Sequence, residues 1–114
     1  MAATSHHQVL IIGGGAAGIT VAAELCRGGH GGGLDVAIVE PSAVHTYQPA
    51  LTLVGAGAYE LAKTQRPEQG LIPTGVTWIK DAAASFAPDA NSVTLTSCRT
   101  LTYEFLVVCP GLVL

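Results

Sequence analysis

The sequence predicts an α/β fold: a nucleotide-binding, Rossmann-like βαβ unit with an antiparallel β-meander inserted before its last parallel strand. Three observations carry this reading. The apolar, β-branched run Val9-Leu10-Ile11-Ile12 leads into Gly13-Gly14-Gly15-Ala16-Ala17-Gly18. An amphipathic stretch follows, with Ile19, Ala22, Ala23 and Cys26 as its apolar positions. A second apolar run, Val36-Ala37-Ile38-Val39, then closes on an acid, Glu40, about 20 residues beyond the glycines. The glycines differ in what they permit. Gly13 allows the tight turn, Gly15 removes a side chain where backbone must approach a pyrophosphate, and Gly18 lets the helix lie close on the strand. The helix N-terminus offers unpaired N–H groups and a favourable dipole to phosphates. Glu40, at the strand end with Pro41 fixing the exit, is placed to hold a ribose.

The other elements follow in chain order. Residues 1–7, with His6 and His7, read as a flexible leader with solvated histidines, and residues 8–114 as one incomplete domain. The helix is expected over residues 16–27, stopped by Gly28 and Gly29, with Gly31, Gly32 and Gly33 as a loose connection. Residues 41–75 show no clean periodicity and are punctuated by Pro49, Pro67 and Pro73, although residues 50–54 and 59–63 can form short helical turns. An irregular span of that length is usually functional or an insertion. Strands are expected at residues 76–80, at 83–87 and 92–96 as a hairpin turned by Pro88-Asp89-Ala90-Asn91, and at 101–104. Residues 105–108 form a separate buried run back in the parallel sheet, ending at Cys109-Pro110-Gly111. There is no internal repeat.

Composition excludes several function classes. At 114 residues the chain is one domain at most. Hydrophobic residues make up 49% and charged residues only 11%, a thin polar surface that suggests part of something larger. A net charge of −3 offers no basic field, so no nucleic-acid partner is expected. The longest apolar stretch, residues 107–114, is broken by Pro110 and Gly111 and is too short to span a bilayer. Neither a secretory signal nor a transit peptide is readable. Cys26, Cys98 and Cys109 are odd in number and show no CxxC spacing, which fits a reducing compartment rather than a disulfide framework. No metal site is expected.

The segment His45-Thr46-Tyr47-Gln48-Pro49-Ala50-Leu51-Thr52-Leu53-Val54-Gly55-Ala56-Gly57 resembles the sulfide:quinone oxidoreductases, especially the mitochondrial-like type and its bacterial relatives. Val39-Glu40-Pro41-Ser42, Arg66-Pro67, Ile72-Pro73-Thr74-Gly75-Val76 and Trp78-Ile79-Lys80 match in register, and the resemblance runs from Val9 to Leu114. The Tyr-Gln-Pro and Trp-Ile-Lys segments are not demanded by a dinucleotide fold as such.

The resemblance implies that the chain is the N-terminal FAD-binding portion of a two-dinucleotide-fold flavoprotein. FAD would be the cofactor, and sulfide and a quinone the substrates of the full-length enzyme. Carried over residue by residue, Gly13, Gly15, Ala16, Ala17 and Gly18 would line the pyrophosphate and Glu40 would hold the adenosine ribose. Gln48 would reach the flavin side, and Ala83 would meet the adenine through its backbone. Residues 103–111 resemble a second FAD-associated motif in which Gly111 is retained, while Cys109 and Pro110 depart from the usual residues and Pro110 lacks one N–H. The family's redox cysteines are expected beyond this chain, so no catalytic residue is assigned. Cys109 reads as a small buried hydrophobe, and Cys26 and Cys98 as inert. His45 and Tyr47 could contact the flavin or simply pack the irregular segment; Trp78 and Ile79 read as strand core, with Lys80 solvated. A mitochondrial inner membrane or a bacterial cytoplasmic membrane surface is the implied location, with membrane contact supplied by C-terminal sequence not present here. Two other readings stay open: a truncated, non-catalytic FAD-binding module, and part of a type II NADH dehydrogenase-like flavoprotein.

Overall fold

The computed structural model describes residues 4–27 and 33–112. Strand β1 (Thr4–Ile12) enters the glycine turn and helix α1 (Ala16–Arg27), and β2 (Val36–Val39) follows. A small antiparallel ladder of β3 (Val44–Thr46) and β4 (Gln65–Pro67) flanks the short helix α2 (Leu51–Gly55). The remaining strands are β5 (Thr77–Ile79), β6 (Ala83–Ala87), β7 (Ser92–Leu95) and β8 (Thr100–Val108). Six strands form one sheet in the order β5-β2-β1-β8-β7-β6. The pairs β5/β2, β2/β1 and β1/β8 are parallel, whereas β8/β7 and β7/β6 are antiparallel.

Side-chain alternation along β1 divides the core between the two faces of this sheet. Val9 and Ile11, with Val36 and Ile38 of β2, pack beneath Ala22, Val21 and Leu25 of α1. Leu10 and Ile12 point the other way, into a cluster with Ala37, Val39, Ile79, Val93, Leu95, Leu101 and Tyr103. Because both faces of β2 are covered, all four of its residues are buried, which is why its sequence shows no alternation. The helix buries Gly18 and Ala22. Cys26, expected on the apolar stripe, is exposed, and Leu25 takes the packing position instead.

Residues 4–7, expected within a flexible leader, lie in β1. From Thr4 onward the backbone pairs with β8, in the register Thr4↔Thr100 through Ile12↔Val108, so His6 and His7 belong to β1. The His6 Nδ1 lies 2.7 Å from Thr102 Oγ1, and the His7 Nδ1 lies 3.0 Å from Asp35 Oδ1. Residues 1–3 and the glycines at 28, 29, 31 and 32 lie outside the described residues. The two strands expected at 101–104 and 105–108 are a single strand, β8. Its first residues pair with β7 on one side while the whole strand pairs with β1 on the other, so meander and parallel sheet are continuous. The meander's hairpin turns through Pro88–Ala90, and Asn91 follows in the left-handed region at φ 47°, a conformation asparagine tolerates.

Residues 41–75 fold back on themselves. The Tyr47 N–H donates to Thr64 O at 2.8 Å and the Glu68 N–H to Ala43 O at 2.9 Å. This closure carries His45 and Glu68 to the end of β2. Strands of three residues are too short to leave a periodic signal, so β3 and β4 have no mark in the sequence.

Candidate functional site

The site is built where the strand order reverses, at the C-terminal ends of the parallel strands, the usual ligand position in an open α/β sheet. Packing decides two of the glycines. Gly13 has φ +106°, and an added Cβ would lie 2.0 Å from the Cys109 carbonyl oxygen; at Gly18 it would lie 1.8 Å from the Gly13 carbonyl oxygen. Gly15 is different, since a Cβ there meets nothing within 4 Å. Its missing side chain leaves open space over the start of α1. The Ile19 N–H donates to Gly15 O at 3.0 Å, closing the first helical turn, and the N–H groups of that turn have no intrahelical acceptor.

Glu40 lies immediately beyond β2 and is held before any ligand arrives. Its Oε1 accepts from the Gly14 N–H at 2.9 Å and its Oε2 from the Ser42 N–H at 2.9 Å. Trp78, on β5, donates from Nε1 to the Glu40 carbonyl at 2.9 Å. A residue read from sequence as strand core therefore fixes the backbone of the acid. Each carboxylate oxygen keeps a lone pair for a ligand hydroxyl.

Glu68 and His45 complete the floor of the site. Glu68 is 1% exposed, and its Oε1 is buried without a hydrogen-bond partner among the described residues. The His45 Nδ1 lies 3.5 Å from Glu68 Oε2 and 3.3 Å from the Gly14 carbonyl oxygen. Burial pushes the Glu68 carboxyl above its ordinary range; the neighbouring His45 opposes that shift and the Glu40 carboxylate adds to it.

These groups enclose a cavity of about 690 Å³, within the size range of cofactor pockets. Gly15, Ala16, Ala17, Glu40, Gln48 and Gly111 all line it; Gly13, Gly18 and Ala83 do not. Among the described residues, no lysine or arginine lines it, so an anionic ligand would be held by backbone N–H groups and the helix dipole. Cys109, expected as a buried hydrophobe, is only partly buried and lines the cavity beside Pro110. No group of three or more His, Cys, Asp or Glu residues suited to a metal occurs among the described residues.

The family model for pyridine nucleotide-disulphide oxidoreductases matches residues 7–113. The chain belongs to this family. Among curated relatives, the mitochondrial sulfide:quinone oxidoreductase of Mus musculus is 46% identical over 110 residues, covering 96% of this chain and 24% of that protein. The corresponding Dictyostelium discoideum protein is 41% identical, covering 92% of this chain and 23% of the relative. The X-ray structure of sulfide:quinone oxidoreductase from Aquifex aeolicus superposes with a TM-score of 0.80 at 29% identity, covering 94% of this chain and 24% of that one. The chain thus spans about a quarter of the length of the relatives it matches. Its similarity to sulfide:quinone oxidoreductases, first visible in the Tyr47-Gln48-Pro49 segment, holds in sequence and in fold.

Within this member of the pyridine nucleotide-disulphide oxidoreductases, sequence reasoning missed Glu68 as a site residue and left His45 undecided. Pro67-Glu68-Gln69-Gly70 reads as a surface turn. Only the ladder between β3 and β4 reveals that its acid is buried. No helix among the described residues is long and apolar enough to cross a membrane.

Proposed function

We propose that this chain is the FAD-holding part of a flavin-dependent oxidoreductase whose whole protein passes two electrons from sulfide to a quinone. The observation that carries the proposal is the bare start of α1: Gly15 opens onto a cavity of about 690 Å³ whose rim carries a carboxylate, Glu40, already oriented by two backbone N–H groups. That set suits a dinucleotide. The N–H groups at Gly15, Ala16 and Ala17 take the diphosphate, and Glu40 accepts from the adenosine ribose hydroxyls. Gln48, which lines the same cavity, takes the flavin side, and Gly111 adds a lining position free of a side chain. Ala83, away from the cavity lining, is assigned to the adenine on family resemblance alone. The bound flavin supplies two-electron redox chemistry, while this chain supplies binding, orientation and a partly enclosed site.

The substrates are proposed from the relatives, three of which are named mitochondrial sulfide:quinone oxidoreductases and one a bacterial sulfide-quinone reductase. A quinone substrate places the whole protein at a membrane surface. Titration of the chain with FAD, followed by flavin fluorescence, tests the reading. One equivalent is expected to bind. Glu40→Ala should weaken binding by about 10- to 100-fold, the scale of hydrogen bonds to a charged group. Unchanged affinity in that variant would overturn the ribose assignment.

A further inference from the structure

No step of the cofactor reading uses Glu68, yet it is the most deeply buried charged side chain among the described residues. It sits beneath the glycine turn, where a Cβ added to Gly14 would come 2.5 Å from its Oε1. The ionisable groups facing it are Glu40, from the end of β2, and His45, from β3. Arg66, on β4, turns away and donates to the carbonyls of Lys63 and Gln65 at 3.1 and 2.8 Å. From the end of β8, Cys109 lines the same cavity. Two carboxyls and one imidazole therefore share the space under the turn, and no lysine or arginine of the lining offsets them. If Glu68 were ionised beside a neutral His45, it would set a second negative charge under backbone meant for a diphosphate.

We propose that Glu68 and His45 form a proton-linked latch beneath the glycine turn, so that the cavity takes up its diphosphate-bearing dinucleotide together with a proton. This rests on the FAD-binding reading above. With the ligand in place the Glu68 carboxyl holds a proton, and the pair presents less negative charge to the phosphates. The raised proton affinity of the buried carboxyl favours this state. Glu68 is a positioning residue that acts through Gly14 and His45. Reciprocity fixes the sign: a ligand that binds the protonated pair more tightly raises its proton affinity, so binding weakens as pH rises. One linked proton limits the slope to about tenfold per pH unit.

Calorimetric titration of the full chain with FAD between pH 6 and 8, in two buffers of different ionisation enthalpy, reads both the slope and the protons taken up. The diphosphate diester of FAD does not itself titrate in that range. The expected result is fractional proton uptake and a loss of affinity of about three- to tenfold per pH unit at the upper end. Glu68→Gln, a neutral isostere, should bind with a flat profile and no uptake, which a merely structural role would not produce. His45→Gln removes the neighbour that opposes the upward shift of Glu68, so the pH at which affinity falls should move upward, and either variant carries the test if the other does not fold. A flat wild-type profile, or a slope that survives Glu68→Gln, overturns the latch while leaving FAD binding intact. Failure of the folded wild-type chain to bind FAD at any pH overturns the cofactor reading and the latch with it.

Discussion

Gly13 and Gly15 stand two residues apart in one motif, and the fold constrains them differently. At Gly13 a positive φ and a backbone oxygen 2.0 Å from any added Cβ make a side chain incompatible with the fold. At Gly15 an added Cβ meets nothing within 4 Å, space that the proposed function keeps for a ligand. Gly13→Ala should therefore lower stability by at least about 1–3 kcal/mol, the cost of a strained backbone position before the clash is added. Gly15→Val should leave the thermal midpoint nearly unchanged and abolish FAD binding. Thermal melts and FAD titrations of the two variants separate the roles, and a Gly15→Val protein that binds FAD normally would contradict them. The tight turn at Gly13 was legible in sequence, because strand, turn, helix and acid each leave a local signature at fixed spacing. Glu68 was not legible. A charged residue in a proline- and glycine-flanked turn reads as solvated, and its burial depends on a chain closure between residues 43 and 68 that no local pattern encodes.

At the scale of elements, the turn after β5 is tied to the end of β7 by one acid. Asp81 Oδ1 accepts from the Ala82 N–H at 2.8 Å and from Thr96 Oγ1 at 2.5 Å, and Oδ2 accepts from Ser97 Oγ. The Ser97 hydroxyl first, then Thr96 and the Ala82 N–H, hold the Asp81 carboxyl down at about 2, from an ordinary value of 3.8. A depressed acid stabilises the fold above its unfolded pKa, and that contribution is lost as pH falls through the folded one. Between about pH 4 and 2 the wild-type urea midpoint should therefore fall more steeply than that of Asp81→Asn; parallel curves would contradict the tie. The hairpin of β6 and β7 was readable from its Pro-Asp-Ala-Asn turn. The continuity of β8 was not, because the alternation of buried Tyr103 and exposed Glu104 resembles a strand end when the pairing partners on either side are unknown. The same partner, β8, draws residues 4–7 into β1 where their N-terminal position suggested a leader.

For the whole molecule, the decisive feature is the reversal of strand order at β1. The connection through α1 sends the chain to β2 on one side, and the long return sends it to β8 on the other. The crevice between them receives the start of α1, the Glu40 carboxylate, the Glu68 and His45 pair and Cys109. Elsewhere the surface remains apolar in places, with Phe105 63% and Leu112 77% exposed, in keeping with a sequence in which only 11% of residues are charged. The crevice was foreseeable from the βαβ pattern, but the three groups supplied by β3, the turn after β4 and the end of β8 required the folded chain. The central claim is that this crevice holds FAD by its diphosphate and adenosine ribose. A crystal structure of the chain grown with FAD tests it most directly. The account predicts the diphosphate over residues 15–17 and the adenosine ribose hydroxyls on Glu40. Ordered FAD bound elsewhere, or an empty crevice at an FAD concentration that saturates the chain in solution, would contradict it.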